Sequence, residues 1–189
     1  MFKCFRARSY GYGEARQFIP RWGFIIPHRR DSPGAVSYDN RYSEYLYGTI
    51  MVPAIGLPYR TRDEGGVRLA SKQLRGESVN ATIEPHFNAY NGKVEGAEML
   101  VIRSDGLSRH YAELFLDIFR ETFPHRRIRG VKEVGPGDRG YRNLLESKKS
   151  GMEVAILSEM FFGDNIADFL SPEEQTEYWR DCLESPNYH

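Results

Sequence analysis

The chain has 189 residues, with 26 basic and 26 acidic side chains, 12 Tyr, 11 Phe and 2 Trp. The aromatic content excludes a disordered chain, and the zero net charge gives no electrostatic basis for a nucleic-acid or anionic-membrane partner. The length suits one soluble domain over residues 1–189, enough chain to bury a sizeable core.

In chain order, Phe2–Arg8 is a candidate first strand, followed by a Gly/Tyr loop. Trp22–Pro27 reads as a second strand, and Arg29–Asn40 (RRDSPGAVSYDN) as a charged loop. Arg41–Met51 and Val67–Leu74 are predicted helices. Ser78–Glu84 and Ala97–Ile102 are predicted strands around an N-A-Y-N-G turn signal. Ser108–Thr122 is the clearest helix, because Tyr111, Leu114, Phe115, Ile118 and Phe119 recur on one face. Gly135–Gly140 reads as a loop and Glu153–Ser158 as a late strand. A last helix opens at SPEE, where Ser171 caps, Pro172 suits the first position and Glu174 completes a capping box. Strands alternating with helices predict an α/β sheet covered on both faces. There is no linker and no internal repeat.

No apolar run reaches the length of a membrane span. The opening MFKCFRARSYGYGEARQF lacks the apolar stretch of about 7–15 residues that a secretion signal needs, so the expectation is synthesis in the cytoplasm without a signal peptide. Cys4 and Cys182 lie near opposite ends; they could pair if the termini meet, but two buried or idle thiols are the better reading. With no C-x-x-C, any metal must rely on His and carboxylates.

Three strand-length segments close on a side chain that can bind or serve a metal: WGFIIPH on His28, SVNATIEPH on His86 and EVAILSE on Glu159. Ligands in open α/β sheets bind beyond the carboxyl ends of the strands, so these residues are expected to meet at one edge. A catalytic zinc needs three protein ligands and an open position. His28 and His86 are two candidates. Glu44, which opens the helix after the first loop, is a candidate third. A further carboxylate must then carry protons, and Glu159 at the end of an apolar strand suits that role.

The residues also carry a resemblance. HRRDSPGAVSYDNRYSE, TRDEGGVRLASKQL, EPHFNA, RGVK and LSEMFFGDNIADFL follow one another in the order of the motifs of the zinc-dependent N-acetylmuramoyl-L-alanine amidases. Each motif is weak, but five in order over most of the chain from about residue 20 are fairly specific. The resemblance implies a twisted, mostly parallel six-stranded sheet flanked by helices. It implies one Zn²⁺ held by His28, Glu44 and His86, with Glu159 as the catalytic carboxylate. It also implies hydrolysis of the amide between N-acetylmuramic acid and L-alanine of peptidoglycan. Arg129, Lys132, Asn88 and Arg29 become candidates for substrate contact.

The chain departs from the family pattern in places. Pro27, Arg29 and Arg30 replace the small residues usual around the first His, the loop from His28 to Glu44 is slightly longer, and Glu84 stands where a Ser is usual. Those arginines either bind substrate carboxylates or mark a diverged substrate.

Blander readings compete. His110, His125 and His189 read as ordinary core or surface residues, and Asp31 and Asp63 as turn or cap residues. Tyr38, Tyr42, Tyr45 and Tyr47 suit sugar stacking and sheet packing equally. GPGDRG satisfies G-x-G-x-x-G, but VKEV before it is short and polar and YRNLLESKK after it supports a helix only weakly, so it reads as a glycine-rich loop near the cleft.

The reading is a peptidoglycan amidase. A catalytic domain without a signal or a wall-binding module suits a phage lytic enzyme released to the wall through a membrane pore. The alternatives are a zinc amidohydrolase of small N-acyl amino acids, similar to N-formylglutamate amidohydrolase, and a non-catalytic wall-binding domain. The sequence leaves oligomeric state open.

Overall fold

The computed structural model describes residues 18–184. The proposed Phe2–Arg8 strand, Cys4 and His189 lie outside them. Six strands form one sheet: β1 (Trp22–Ile25), β2 (Tyr59–Arg60), β3 (Ala81–Asn88), β4 (Ala97–Ile102), β5 (Ile128–Val134) and β6 (Val154–Phe162). Five helices intervene: α1 (Glu44–Ile55), α2 (Gly66–Gly76), α3 (Gly106–Thr122), α4 (Tyr141–Lys149) and α5 (Pro172–Glu184). The strand order is β2-β1-β3-β6-β4-β5. All neighbours pair in parallel except β4 and β6, which run antiparallel. The mostly parallel six-stranded α/β sheet expected from the sequence is therefore present.

The central strands β3 and β6 are buried along their whole length, as strands covered on both faces must be. Alternation sorts their side chains. Phe24, Ile83, Met99, Val101, Ile156 and Met160 face a core built with α1, α3 and α5, where Tyr47, Phe115 and Trp179 pack. Ile25 packs on α2 with Val67, Ala70 and Leu74, while Leu100, Ala155 and Leu157 pack with Leu144 of α4. Tyr47 turns its hydroxyl onto the carbonyls of Leu170 and Ser171 at 3.0 and 2.9 Å, so this tyrosine serves the core. Cys182 is buried and has no disulfide partner among the described residues.

Three expectations need correction. The segments were read as closing on their reactive residues, yet β1 ends at Ile25, before His28, while His86 and Glu159 lie inside their strands. Both strands are flanked by neighbours, so the ladder continues past a polar side chain, and Phe87, Phe161 and Phe162 keep burying apolar surface beyond it. Second, Ser78–Asn80 precede the strand that begins at Ala81, with Ser78 in the left-handed region at φ 69°. Third, GPGDRG does lie between a strand and a helix. Strand β5 is a half-exposed edge, which explains its polar sequence. Helix α4 buries little besides Leu144 and Ser147, which explains its weak signal. Among the described residues no helix is long and apolar enough to cross a membrane.

Candidate metal centre and its carboxylate

The strands' period of two places Glu84, His86 and Asn88 of β3, Glu98 of β4 and Glu159 of β6 on polar positions of the sheet, and each is buried. His86 pairs in register with Glu159, and Glu98 pairs with Glu159 from the other side. A cleft of about 250 Å³ is lined by His28, Glu44, Arg62, His86, Arg139, Asn143 and Glu159. It lies toward the carboxyl ends of the parallel strands, where a doubly covered sheet offers an opening.

Glu44 is the first residue of α1, which Ser43 caps by accepting from the Leu46 amide. Its carboxylate joins both histidines: Oε2 lies 2.9 Å from His28 Nε2, and Oε1 lies 2.8 Å from His86 Nδ1. The Ala35 amide donates to Oε2 at 2.8 Å. Burial disfavours the Glu44 anion, but hydrogen bonding to the two histidines overrides it and holds the carboxyl well below its ordinary range.

Burial likewise opposes charging His86, and the Glu44 and Glu84 carboxylates overcome that opposition and raise it to about 10. Without a metal, the two carboxylates thus hold a proton on His86. A dication on the same donors would take over that proton's electrostatic role.

His28, Glu44 and His86 each offer a ligand atom, all within 4.8 Å of one another. The chain closes tightly around them. A Cβ built on Gly34, at φ 83°, would lie 2.4 Å from Glu44 Oε2 and 2.7 Å from His28 Nε2. His28 itself holds φ 60°. Two histidines and a carboxylate with an adjoining cleft fit a zinc ion that keeps one position open.

Glu159 is 3% exposed. Its Oε2 accepts from Asn88 Nδ2 at 2.9 Å, and its Oε1 accepts from the guanidinium of Arg139. Asn88 also donates to Glu98 Oε1 at 3.2 Å, and Arg129 Nε donates to Glu98 Oε2 at 2.7 Å. Burial is the main cause that pushes Glu159 up to about 7; Arg139 and His86 oppose it, and Glu98 adds to it.

The four metal-site and base candidates therefore line one cleft, and Asn88 touches Glu159 directly. Arg129 stands one step back, on Glu98. Lys132 is exposed on β5 and is not among the residues of the cleft. Arg29 pairs with Asp31 at the surface and lines a neighbouring depression with Arg30, Thr61 and Asp63. Tyr45 donates to Asp63 at 2.9 Å, and Asp63 accepts from the Arg30 amide at 2.9 Å, so Asp63 organises this rim.

Sequence reasoning missed Glu98, Arg139, Arg62 and Asn143. The signal for Arg139 was present in GPGDRG. Gly140, at φ 79° and within 3.0–3.1 Å of Leu100 and Leu157 at its Cβ position, lets the loop press against the sheet beside Glu159.

Fold and site together define an α/β protein in which two histidines and a carboxylate are placed to hold a metal ion beside a buried acid. No protein-family model matches the sequence, and no curated protein matches it significantly. Solved structures do match. The catalytic domain of CwlV, an N-acetylmuramoyl-L-alanine amidase from Bacillus (Paenibacillus) polymyxa var. colistinus, superposes with a TM-score of 0.67 at 16% identity, covering 90% of this chain and all of that one. The catalytic domain of CD27L, an endolysin targeting Clostridia difficile, gives 0.63 at 20% identity, covering 86% and 96%. The amidase Ami1 of Mycobacterium smegmatis gives 0.63 at 12% identity, covering 87% and 94%. The chain has the fold of these amidases.

Proposed function

We propose that the protein is a zinc-dependent amidase that hydrolyses the bond between N-acetylmuramic acid and L-alanine in peptidoglycan. The observation that carries this reading is the convergence of His28, Glu44 and His86 with the buried Glu159 in one cleft. The likeness of the fold to that of solved peptidoglycan amidases supports the substrate class.

A zinc ion on the three ligands would act as a Lewis acid, polarising the scissile carbonyl and making water acidic enough to lose a proton near neutral pH. Glu159 takes that proton on its carboxylate. Water oxygen bonds to the carbonyl carbon, the carbon–nitrogen bond breaks, and the proton passes from Glu159 to the leaving L-alanine nitrogen. The products are a muramic carboxyl and a free α-amine. Burial and the neighbouring Glu98 raise the Glu159 carboxyl above its ordinary value, which suits a group that must hold the proton as well as take it. Asn88 fixes the orientation of the Glu159 carboxylate, while Glu98 opposes its ionisation. Arg139 lies at the cleft mouth and holds the other Glu159 oxygen. Arg29, Arg129 and Lys132 remain proposed contacts for the carboxylates of the stem peptide.

A lytic role, with the enzyme acting on the bacterial wall, belongs to the same proposal. Zymography in gels cast with purified peptidoglycan tests it. Clearing is expected, with loss in excess chelator and recovery on adding Zn²⁺. An intact wall beside hydrolysis of small N-acyl amino acids would move the assignment to a small-molecule amidohydrolase. Clearing undiminished by chelator, from metal-free protein, would remove the zinc.

A further inference from the structure

Resting on the zinc reading above, we propose that Glu84 is a positioning residue for the metal centre, holding His86 in the tautomer that presents Nδ1 to the ion. Glu84 precedes His86 by two residues on β3, so strand alternation puts both on one face of the sheet. Glu44 lies on the Nδ1 side of the imidazole, at 2.8 Å. The opposite nitrogen, Nε2, is buried without a hydrogen bond, and Glu84 Oε1 stands 3.2 Å away, outside good hydrogen-bond alignment.

The carboxylate is held there from two other parts of the fold. Arg62 Nη1 donates to Glu84 Oε1 at 2.7 Å, and Asn143 Nδ2 of α4 donates to the same oxygen at 3.2 Å. Glu84 is 5% exposed, so it is anchored by its neighbours and not by solvent.

A neutral imidazole that gives Nδ1 to a metal must carry its proton on Nε2, and a buried N–H needs an acceptor. Glu84 Oε1 is the acceptor within reach. A small rotation of the ring on metal binding brings the N–H into line with it. A carboxylate behind a ligating histidine fixes the ring and raises its basicity, and loss of such a partner commonly costs about 10–100-fold in metal affinity. The arrangement also gives Arg62 a role: it neutralises and orients Glu84 without touching the metal donors.

The test is zinc affinity, read by competition with a chromogenic chelator on folded full-length protein, for wild type, Glu84→Gln and Glu84→Ala. Glu84→Ala should bind zinc about 10–100-fold more weakly, and Glu84→Gln, which keeps an acceptor oxygen, should recover part of that loss. Affinities within about threefold of wild type in both variants would overturn the proposal.

Removing Glu84 leaves Arg62 unpaired and threatens folding, so a second measurement uses wild type alone. Nitrogen-15 NMR of the zinc-loaded protein should show His86 protonated at Nε2 and metal-bound at Nδ1. The reverse tautomer would overturn the proposal whatever the variants do. Wall hydrolysis is assayed separately: zinc affinity that depends on Glu84 in a protein inert toward peptidoglycan would defeat the amidase reading and leave this one standing. An active amidase with unchanged zinc affinity would do the opposite.

Discussion

His28 holds its backbone at φ 60°, in a region that costs a non-glycine residue about 1–3 kcal/mol, and it does so where its imidazole meets Glu44. Gly34 closes over the same pair. Gly34→Ala should therefore weaken zinc binding at least about tenfold by pushing ligands apart. It should also destabilise the fold by about 1–3 kcal/mol, since φ 83° is strained for any side chain. Chelator competition and urea denaturation measure the two effects; an alanine variant with normal affinity would show that the loop yields.

Glu159→Gln keeps the shape and cannot take a proton. It should retain about one zinc and lose at least about 100-fold in hydrolysis. Loss of zinc instead would make Glu159 a ligand. The same variant carries a pH signature. The Glu159 carboxyl rises from 4.5 to about 7 in the folded protein, so the fold binds its proton more tightly than the unfolded chain does. Its contribution is fully present below the unfolded value and is lost as pH rises through about 7. In zinc-free protein, Glu159→Gln should thus be more stable than wild type at pH 8, by up to about 3 kcal/mol, with the gap closing toward pH 4.5. A gap that does not change with pH would mean Glu159 is not the group strained by burial.

Elements were legible where chemistry is local. In α5 the Ser171 hydroxyl accepts from the Glu174 amide at 3.2 Å, and Glu174 accepts from the Ser171 amide at 2.8 Å, as the S-P-E-E pattern predicted. Ser171→Ala should cost about 1 kcal/mol of stability by denaturant titration, without changing zinc content. A cost near zero would make the cap dispensable and leave the docking of Tyr178 and Trp179 as what holds the helix. The α3 stripe was readable for the same reason: Tyr111, Phe115 and Phe119 recur at helical spacing and all enter the core. Helix α4 was not. It is short, it buries one large apolar side chain, and its start at a left-handed Gly140 supplies no side-chain cap. The ends of β3 and β6 were misplaced because a polar residue inside a buried strand looks like a strand end until its partners are known.

At the scale of the whole molecule, the order of the motif segments was readable, and with it the gathering of His28, Glu44, His86 and Glu159. Sheet order was not. Nothing local encodes that β4 runs against β6, so the placement of Glu98 opposite Glu159 could not be seen in the sequence. The same holds for Arg62 and Asn143, which reach Glu84 from distant elements. These tertiary partners are what tune the site: one carboxylate is forced up by burial and a second carboxylate, another is held down by two histidines. This tuning serves the proposed hydrolysis of one amide bond. Mass analysis of purified peptidoglycan after digestion by the zinc-loaded protein tests it most directly. Stem peptides with a free L-alanine α-amine, released from intact glycan strands without new reducing ends, are the predicted result. New reducing sugar ends, or cleavage only within the peptide, would contradict it.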